Sequence, residues 1–430
     1  MLAKRIKEFP IDVRKFLRIA SNIADSWGMN IYLVGGIVRD LILRRESFDY
    51  DIVVEGDGIG LCEAISHKLG VSFQKHHTFG TATVYYKEYK IDFATCRREY
   101  YPWWGSLPKV SKASLKEDLF RRDFTINAMA ISINKNNYGE LIDFYNGYSD
   151  LKKGLIRVMH DSSFLDDPTR MLRAIRFEQR FAFKIERHTF NLLKEASLRN
   201  ALKFIDEQRV RDELILILKE QCPLKYLRRI QTLIGFSFID DNFNLKKRDY
   251  QLIKRVEKAI FSYNANFVRY RRLDAWLIYL MAILNKLSLD KVIVFCKKFR
   301  LHRGEEKRLI DSFKHKKIIK YLARRNIRKS KIFNTLVPLS FETIIFLYAY
   351  TANKYARENF SFFLKHLAGV KLKIKGGDLK ALGFKPAHLY SKALNQLKSI
   401  KIEKGLTTKK EELKEIDKIF KRFKRAQKVL

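Results

Sequence analysis

At 430 residues, 47% of them hydrophobic, and with a formal net charge of +39, the chain is too long for a single core, which predicts two or more domains and a polyanionic partner, nucleic acid before any other. No run reaches the roughly 18 uninterrupted apolar residues of a membrane-spanning helix, and residues 1–18 carry charges every few positions with no apolar signal core, so membrane and secretory readings are disfavoured. Four cysteines, Cys62, Cys96, Cys222 and Cys296, lack Cys-x-x-Cys spacing and read as buried thiols of a reducing cytoplasm rather than a disulfide frame or zinc site.

Up to about residue 150, short β-type runs at 31–34, 50–54, 81–86, 90–94 and 128–133 alternate with helical stretches and glycine turns, which predicts an α/β or α+β domain. The first run ends in Gly35-Gly36, a phosphate-sized turn, and the following helix carries Arg39 and Asp40, which also read as a plain surface ion pair. Nine residues on come Asp49 and Asp51. Side chains two apart on a strand share a face, and hard oxygen ligands beside room for phosphate are what magnesium prefers. Two such ions clamp the attacking and leaving oxygens of a phosphoryl transfer. Asp92 interrupts an apolar alternation in the run 89–93 and is a candidate third oxygen ligand.

Arg121, Arg122 and Asp123 then precede an apolar run containing Asn127. Adjacent arginines also occur in exposed turns, but guanidinium forks suit triphosphate and ribose oxygens, with Asp123 and Asn127 placed to hold them.

After Gly154 helical periodicity dominates and strand signals largely disappear, so the last two-thirds of the chain reads as all helix. Asp166-Asp167-Pro168 is an ordinary helix start. Arg170, Arg173 and Arg176 then follow at three-residue steps along one side, while Met171, Leu172 and Ile175 are left for the core. A carboxylate accepts and a guanidinium donates, so a fixed Asp167/Arg170 pair demands a base edge with an amino donor beside a ring-nitrogen acceptor. Cytosine and adenine present it; uracil and guanine present the inverse, leaving each protein group unpaired at about 1–3 kcal/mol. Such a pair selects CTP and ATP without a nucleic-acid template. Arg209 and Glu213, at i and i+4, belong either to a solvated helix or to one bracing the base-reading helix from behind.

Breaks at residues 221–223, 242–244 and 336–339 divide the helical part into consecutive modules. Residues 371–430 hold 18 Lys/Arg against 6 Asp/Glu; the excess over solubility needs points to phosphate neutralisation along an extended RNA, with binding that weakens steeply in salt.

Leu33-Val34-Gly35-Gly36 with Val38-Arg39-Asp40, then Asp49-x-Asp51, Arg121 to Met129, Asp167-Pro168-x-Arg170 with Leu172-Arg173-Ala174-x-Arg176-Phe177, and the stretch from Arg209 to Glu213 together resemble the class II tRNA nucleotidyltransferases: the CCA-adding, A-adding and CC-adding enzymes and bacterial poly(A) polymerases. The resemblance implies an α/β nucleotidyltransferase head of the DNA polymerase β type followed by all-α neck, body and tail, with divisions expected at 1–150, 151–240, 241–350 and 351–430. It implies two magnesium ions on Asp49 and Asp51, with Asp92 beside them; triphosphate contact by Gly35, Gly36, Arg39 and Arg122; and base selection by Asp167 and Arg170. Arg121, Asp123, Asn127, Arg173 and Arg176 complete the nucleotide site, and Asp166, Arg209 and Glu213 stand behind it.

Implied partners are ATP, CTP and tRNA, bound through its acceptor and TΨC arms, in the cytoplasm and away from membranes; oligomeric state is left open. Arg97, Arg98 and Glu99 fall in a segment matching a family loop that helps switch base choice, and the nearby Trp103 and Trp104 are either buried anchors or stacking surfaces for RNA. Asp166 stands where many members carry Glu, and Pro386-Ala387-His388 where Pro-Gly-Pro is usual. The resemblance leaves open full CCA addition, addition of the last A alone, and polyadenylation. Outside the enzymes, the competing reading is a catalytically silent RNA-binding protein.

Overall fold

The computed structural model describes residues 2–46, 49–76, 80–267, 271–384 and 389–427, with side chains as far as residue 423. The Pro386-Ala387-His388 turn and the side chains of Lys424 and Arg425 lie outside the described residues. The chain forms two compact units, residues 1–217 with 225–244, and residues 218–224 with 245–430.

The first unit is built on a seven-stranded mixed sheet. Its strands are β1 (Asn30–Val34), β2 (Asp49–Glu55), β3 (Phe73–His76), β4 (Thr81–Tyr86), β5 (Tyr89–Thr95), β8 (Ala130–Ser132) and β9 (Leu141–Ile142), in the order β3-β4-β5-β2-β1-β8-β9. A separate antiparallel hairpin, β6 (Arg97–Tyr100) with β7 (Lys109–Lys112), follows β5. Ile31, Leu33 and Val34 are buried to within 1%, as expected of a central strand covered on both faces. The decisive register is in the parallel pair β2 and β5, where Asp51 lies beside Asp92 and Asp49 beside Lys90. Parallel neighbours share a face, so acids 41 positions apart in sequence project together.

Glu55, at the end of β2, accepts from the Leu115 amide at 2.7 Å and from the Tyr32 hydroxyl at 3.0 Å. That ties helix Leu115–Phe120 to the sheet. Ser114 and Glu117 close a capping box at its start, so the arginines that follow the helix leave from a fixed point.

Beyond residue 154 the expected helical character holds among the described residues, apart from a short parallel pairing, Leu155–Ile156 with Lys184–Ile185, and a lone antiparallel bridge from Val158 to Phe124. In the second unit, helix Ala275–Leu284 is buried throughout except at its first residue. Farther on, helices Tyr390–Lys404 and Lys409–Gln427 close over a core that includes Ile374, Leu379, Leu397, Ile416 and Phe420. Glu412 is buried in that region and accepts from the Lys373 and Ile374 amides and from Lys401 Nζ. Its charge is therefore matched inside the core. Among the described residues no single helix is long and apolar enough to cross a membrane. The four thiols are not all alike: Cys62, Cys96 and Cys296 are buried, whereas Cys222 is exposed beside Pro223, which opens a helix at the edge of the chain's division.

Candidate active site

A cleft of about 510 Å³ opens in the first unit, and seven arginines and five carboxylates line it. The excess of guanidinium over carboxylate suits a polyphosphate.

At its floor, β1 turns into helix Gly36–Leu43 through Gly35, whose φ of +74° favours glycine. A Cβ there would sit 3.0 Å from Arg122 Nη1 and 3.8 Å from Asp51 Oδ2, so a bare backbone lets an arginine and an acid approach the same turn. Arg39 is 5% exposed, which rules out a surface ion pair with Asp40. It binds Asp40 through Nε at 2.9 Å and Nη2 at 3.0 Å, reaches Asn127 Oδ1 at 2.6 Å, and lies 4.7 Å from the Phe181 ring centre. Burial lowers its pKa, and Asp40 counters that shift.

The network continues inward. Asn127 Nδ2 donates to Asp123 Oδ1 at 2.9 Å, and Arg173 grips Asp123 Oδ2 at 2.9 and 2.6 Å. Arg173 and Arg176 then share Glu213, at 2.9 and 3.1 Å. Burial alone would push the Asp123 carboxyl up, but Arg173 and Asn127 outweigh it and hold the group at about 2.

Asp118 is fully buried and receives both Arg121 (2.8 Å) and Arg122 (3.0 Å), together with the Arg97 amide (3.2 Å). Glu99 accepts from Arg121 at 3.0 Å, from Arg97 at 3.0 Å and from the Tyr101 hydroxyl at 2.9 Å. Arg98 instead faces solvent.

The two base-reading candidates are clamped separately. Arg170 donates to Ser163 Oγ at 2.7 Å and to the Arg121 carbonyl at 2.8 Å. Asp167 accepts from the Thr169 amide and hydroxyl at 3.1 and 2.5 Å, and Arg209 Nη2 lies 2.9 Å from its other oxygen. Helix Thr169–Phe181 begins after Pro168, one position later than the expected start, yet Asp167 still caps its first amide. Asp166 lies outside the cleft, 3.9 Å from His160, with its carboxyl pushed up by burial.

Of the three sheet acids only Asp51 lines the cleft. Asp49 is exposed on the same face, and Asp92 is engaged by Thr83 and Lys90, each at 2.5 Å. Burial raises the Asp51 carboxyl, Arg122 lowers it, and Asp92 and Asp49 raise it again, for a net rise. Among the described residues no three His, Cys, Asp or Glu side chains form a ready metal cage. A carboxylate pair beside an arginine-lined phosphate pocket still fits magnesium, which uses one or two protein carboxylates and takes its other oxygens from water and substrate phosphates.

The family model of the poly A polymerase head domain matches residues 31–157. Over 415 residues the chain is 34% identical to the A-adding tRNA nucleotidyltransferase of Geobacter sulfurreducens, covering 95% of this chain and 47% of that one. It is 36% identical over 366 residues to the A-adding tRNA nucleotidyltransferase of Aquifex aeolicus, covering 84% and 43%. The chain thus spans about half the length of the curated relatives it matches. The solved Thermotoga maritima CCA-adding enzyme in complex with tRNA-CCA superposes with a TM-score of 0.71 at 31% identity, covering 96% of this chain and 97% of that one. The chain belongs to the class II tRNA nucleotidyltransferases.

In this class II tRNA nucleotidyltransferase, several cleft residues escaped the reading of the sequence. Tyr101, Thr169 and Arg180 line the cavity, and Ser163 and Asp118 fix its arginines. Asp118 had a signal, since carboxylate and guanidinium at i, i+3 and i, i+4 meet on a helix. Ser163 had none, because its partner Arg170 comes from the following helix.

The low Asp123 pKa sets a pH dependence. A carboxyl at about 2 in the folded protein against 3.8 unfolded contributes about 2 kcal/mol above the unfolded value, lost as the pH falls from about 4 towards 2. Urea unfolding of wild type and Asp123→Asn at pH 5, 4 and 3 should show a stability difference that shrinks with acid. A flat difference would contradict the assignment.

Proposed function

We propose that this chain adds CMP and AMP, from CTP and ATP, to the 3′ end of tRNA without a nucleic-acid template. What supports the reading most is the clamped Asp167/Arg170 pair in the same cleft as Asp51 and Arg122. One end of the cavity offers a fixed acceptor and donor to a base edge, and the other offers guanidinium groups and a carboxylate to a triphosphate. Gly35, Gly36, Arg39 and Arg122 cradle the phosphates, while Arg173 and Arg176, held by Asp123 and Glu213, keep the base-reading helix in register. Arg97 and Glu99 tie the hairpin to Arg121, so base choice and phosphate contact share one ionic network.

Members of this family work with divalent metal ions; we assign two magnesium ions here, with Asp49 and Asp51 as their protein ligands and Asp92 alongside. Once bound, such ions supply Lewis acidity to the hydroxyl and the pyrophosphate oxygens. The terminal RNA hydroxyl gives up its proton to solvent as its oxygen forms a bond to the α-phosphorus, the bond to the pyrophosphate bridging oxygen breaks, and pyrophosphate leaves with both electrons. The basic residues of 371–430 are assigned to the acceptor and TΨC arms, in a cytoplasmic setting.

A second reading, addition of the final A alone, is favoured by the A-adding names of the Geobacter and Aquifex relatives. Transcripts ending before CCA, after C and after CC, each offered single nucleotides, separate the two. Extension at all three ends by the correct base supports full CCA synthesis; one A on the CC end alone supports the second reading; long products on unstructured RNA point to a poly(A) polymerase. In the same assay Arg170→Ala is expected to reduce discrimination against UTP and GTP by about 10-fold or more. Unchanged selectivity would remove Arg170 from base reading.

A further inference from the structure

The segment between β6 and β7 displays indoles where burial is the rule. Trp103 is 70% exposed and Trp104 48%, next to Leu107 at 66%; Phe204, whose backbone lies against Gly105, is 62% exposed. Large aromatic side chains are usually well covered, so this surface needs an occupant.

The loop is held in place. The Gly105 amide donates to the Leu165 carbonyl at 3.1 Å and the Ser106 amide to the Trp103 carbonyl at 3.1 Å. Gly105 has φ +69°, and a Cβ on it would stand 2.7 Å from the Phe204 carbonyl oxygen, so only glycine allows this approach. The Arg199 guanidinium lies 5.3 Å from the Trp104 ring centre and also reaches Glu195 at 2.6 Å. The segment starts at Tyr101, which lines the cleft, and is pinned at Leu165, two residues before Asp167.

We propose that Trp103 and Trp104 form a stacking platform for the unpaired 3′-terminal bases of the RNA acceptor. This rests on the tRNA reaction proposed above. An RNA end that delivers its hydroxyl to the cleft must approach it from outside, and the loop that leaves the cleft at Tyr101 and is pinned at Leu165 presents two exposed indoles, one with a guanidinium against it. Ring faces bind any base, and a cation beside them favours the phosphodiester. A protein partner would have no comparable reason to prefer a cationic aromatic surface on a loop continuous with a nucleotide cleft.

The test uses the full chain with an RNA minihelix ending in unpaired CC and the same duplex made blunt. Trp103→Ala and Trp104→Ala should each raise KM for the CC-ended minihelix about tenfold and leave KM for ATP unchanged, with Trp104→Phe restoring most of the loss. The chain has four tryptophans, so binding can be read from their emission. The CC-ended RNA should quench it, the blunt duplex should not, and a Trp103→Phe/Trp104→Phe double variant should lose the response.

Unchanged KM with unquenched emission overturns the proposal, as does equal quenching by the blunt duplex. Self-association that the double variant abolishes would also overturn it, by showing the patch covered by a second copy of the chain. If wild type added nucleotides to no RNA end while CC-specific quenching persisted, the reaction would fall and the platform would stand.

Discussion

Asp51→Asn is expected to reduce nucleotide incorporation by about 10³-fold or more while RNA binding persists, because metal-assisted charge stabilisation of several kcal/mol converts to about that factor. Asp49→Asn should do the same. Folding should respond differently. The Asp51 carboxyl is raised in the folded protein, so its ionised form is disfavoured there relative to the unfolded chain at neutral pH, and an uncharged amide removes that disadvantage. Asp51→Asn is therefore expected to be at least as stable as wild type without added metal. Calorimetry beside a primer-extension assay checks both halves; retained turnover would remove these acids from the metal site.

The second large effect belongs to Asp118. It is fully buried and takes both Arg121 and Arg122, so Asp118→Ala leaves two largely buried guanidinium groups without their shared carboxylate. Removing one partner of a buried ion pair costs about 3–5 kcal/mol, and the unfolding transition of the first unit should fall by that amount in urea. Because Arg122 also approaches Gly35, kcat/KM for the nucleotide should fall with it. Asp118→Asn, which keeps the shape and one acceptor, should recover part of the stability. A variant as stable as wild type would show that the pairs are not formed in solution.

What could be read in advance followed the range of the interaction. Asp49 and Asp51 share a strand, and Arg170, Arg173 and Arg176 share a helix side, so spacing alone places them together. Met171, Leu172 and Ile175 are fully buried, as their positions predicted. The β6–β7 hairpin was not legible, because residues 97–112 carry charges, two prolines and a glycine with no apolar alternation to mark strands. Its link through Glu99 to Arg121 depends on tertiary placement, which periodicity does not encode. Cys222 was misread for a related reason: thiols are buried on average, and nothing local showed that this one sits just before a helix opening at the surface.

The contrast between Asp49, exposed on its strand, and the buried pair Asp118 and Asp123 also bears on how such a chain can change over generations. With Asp49 as a proposed metal ligand, chemistry and architecture are separable there, since an exposed side chain can be lost at little expense to folding. At Asp118 and Asp123 the carboxylate holds arginines of the proposed nucleotide site, so its removal is expected to cost stability and activity together. A descendant that abandoned catalysis and kept RNA capture would therefore retain the whole guanidinium lattice and lack only a strand carboxylate. The same asymmetry makes Asp49 the natural position for an inactive, folded trap that holds an RNA end without extending it.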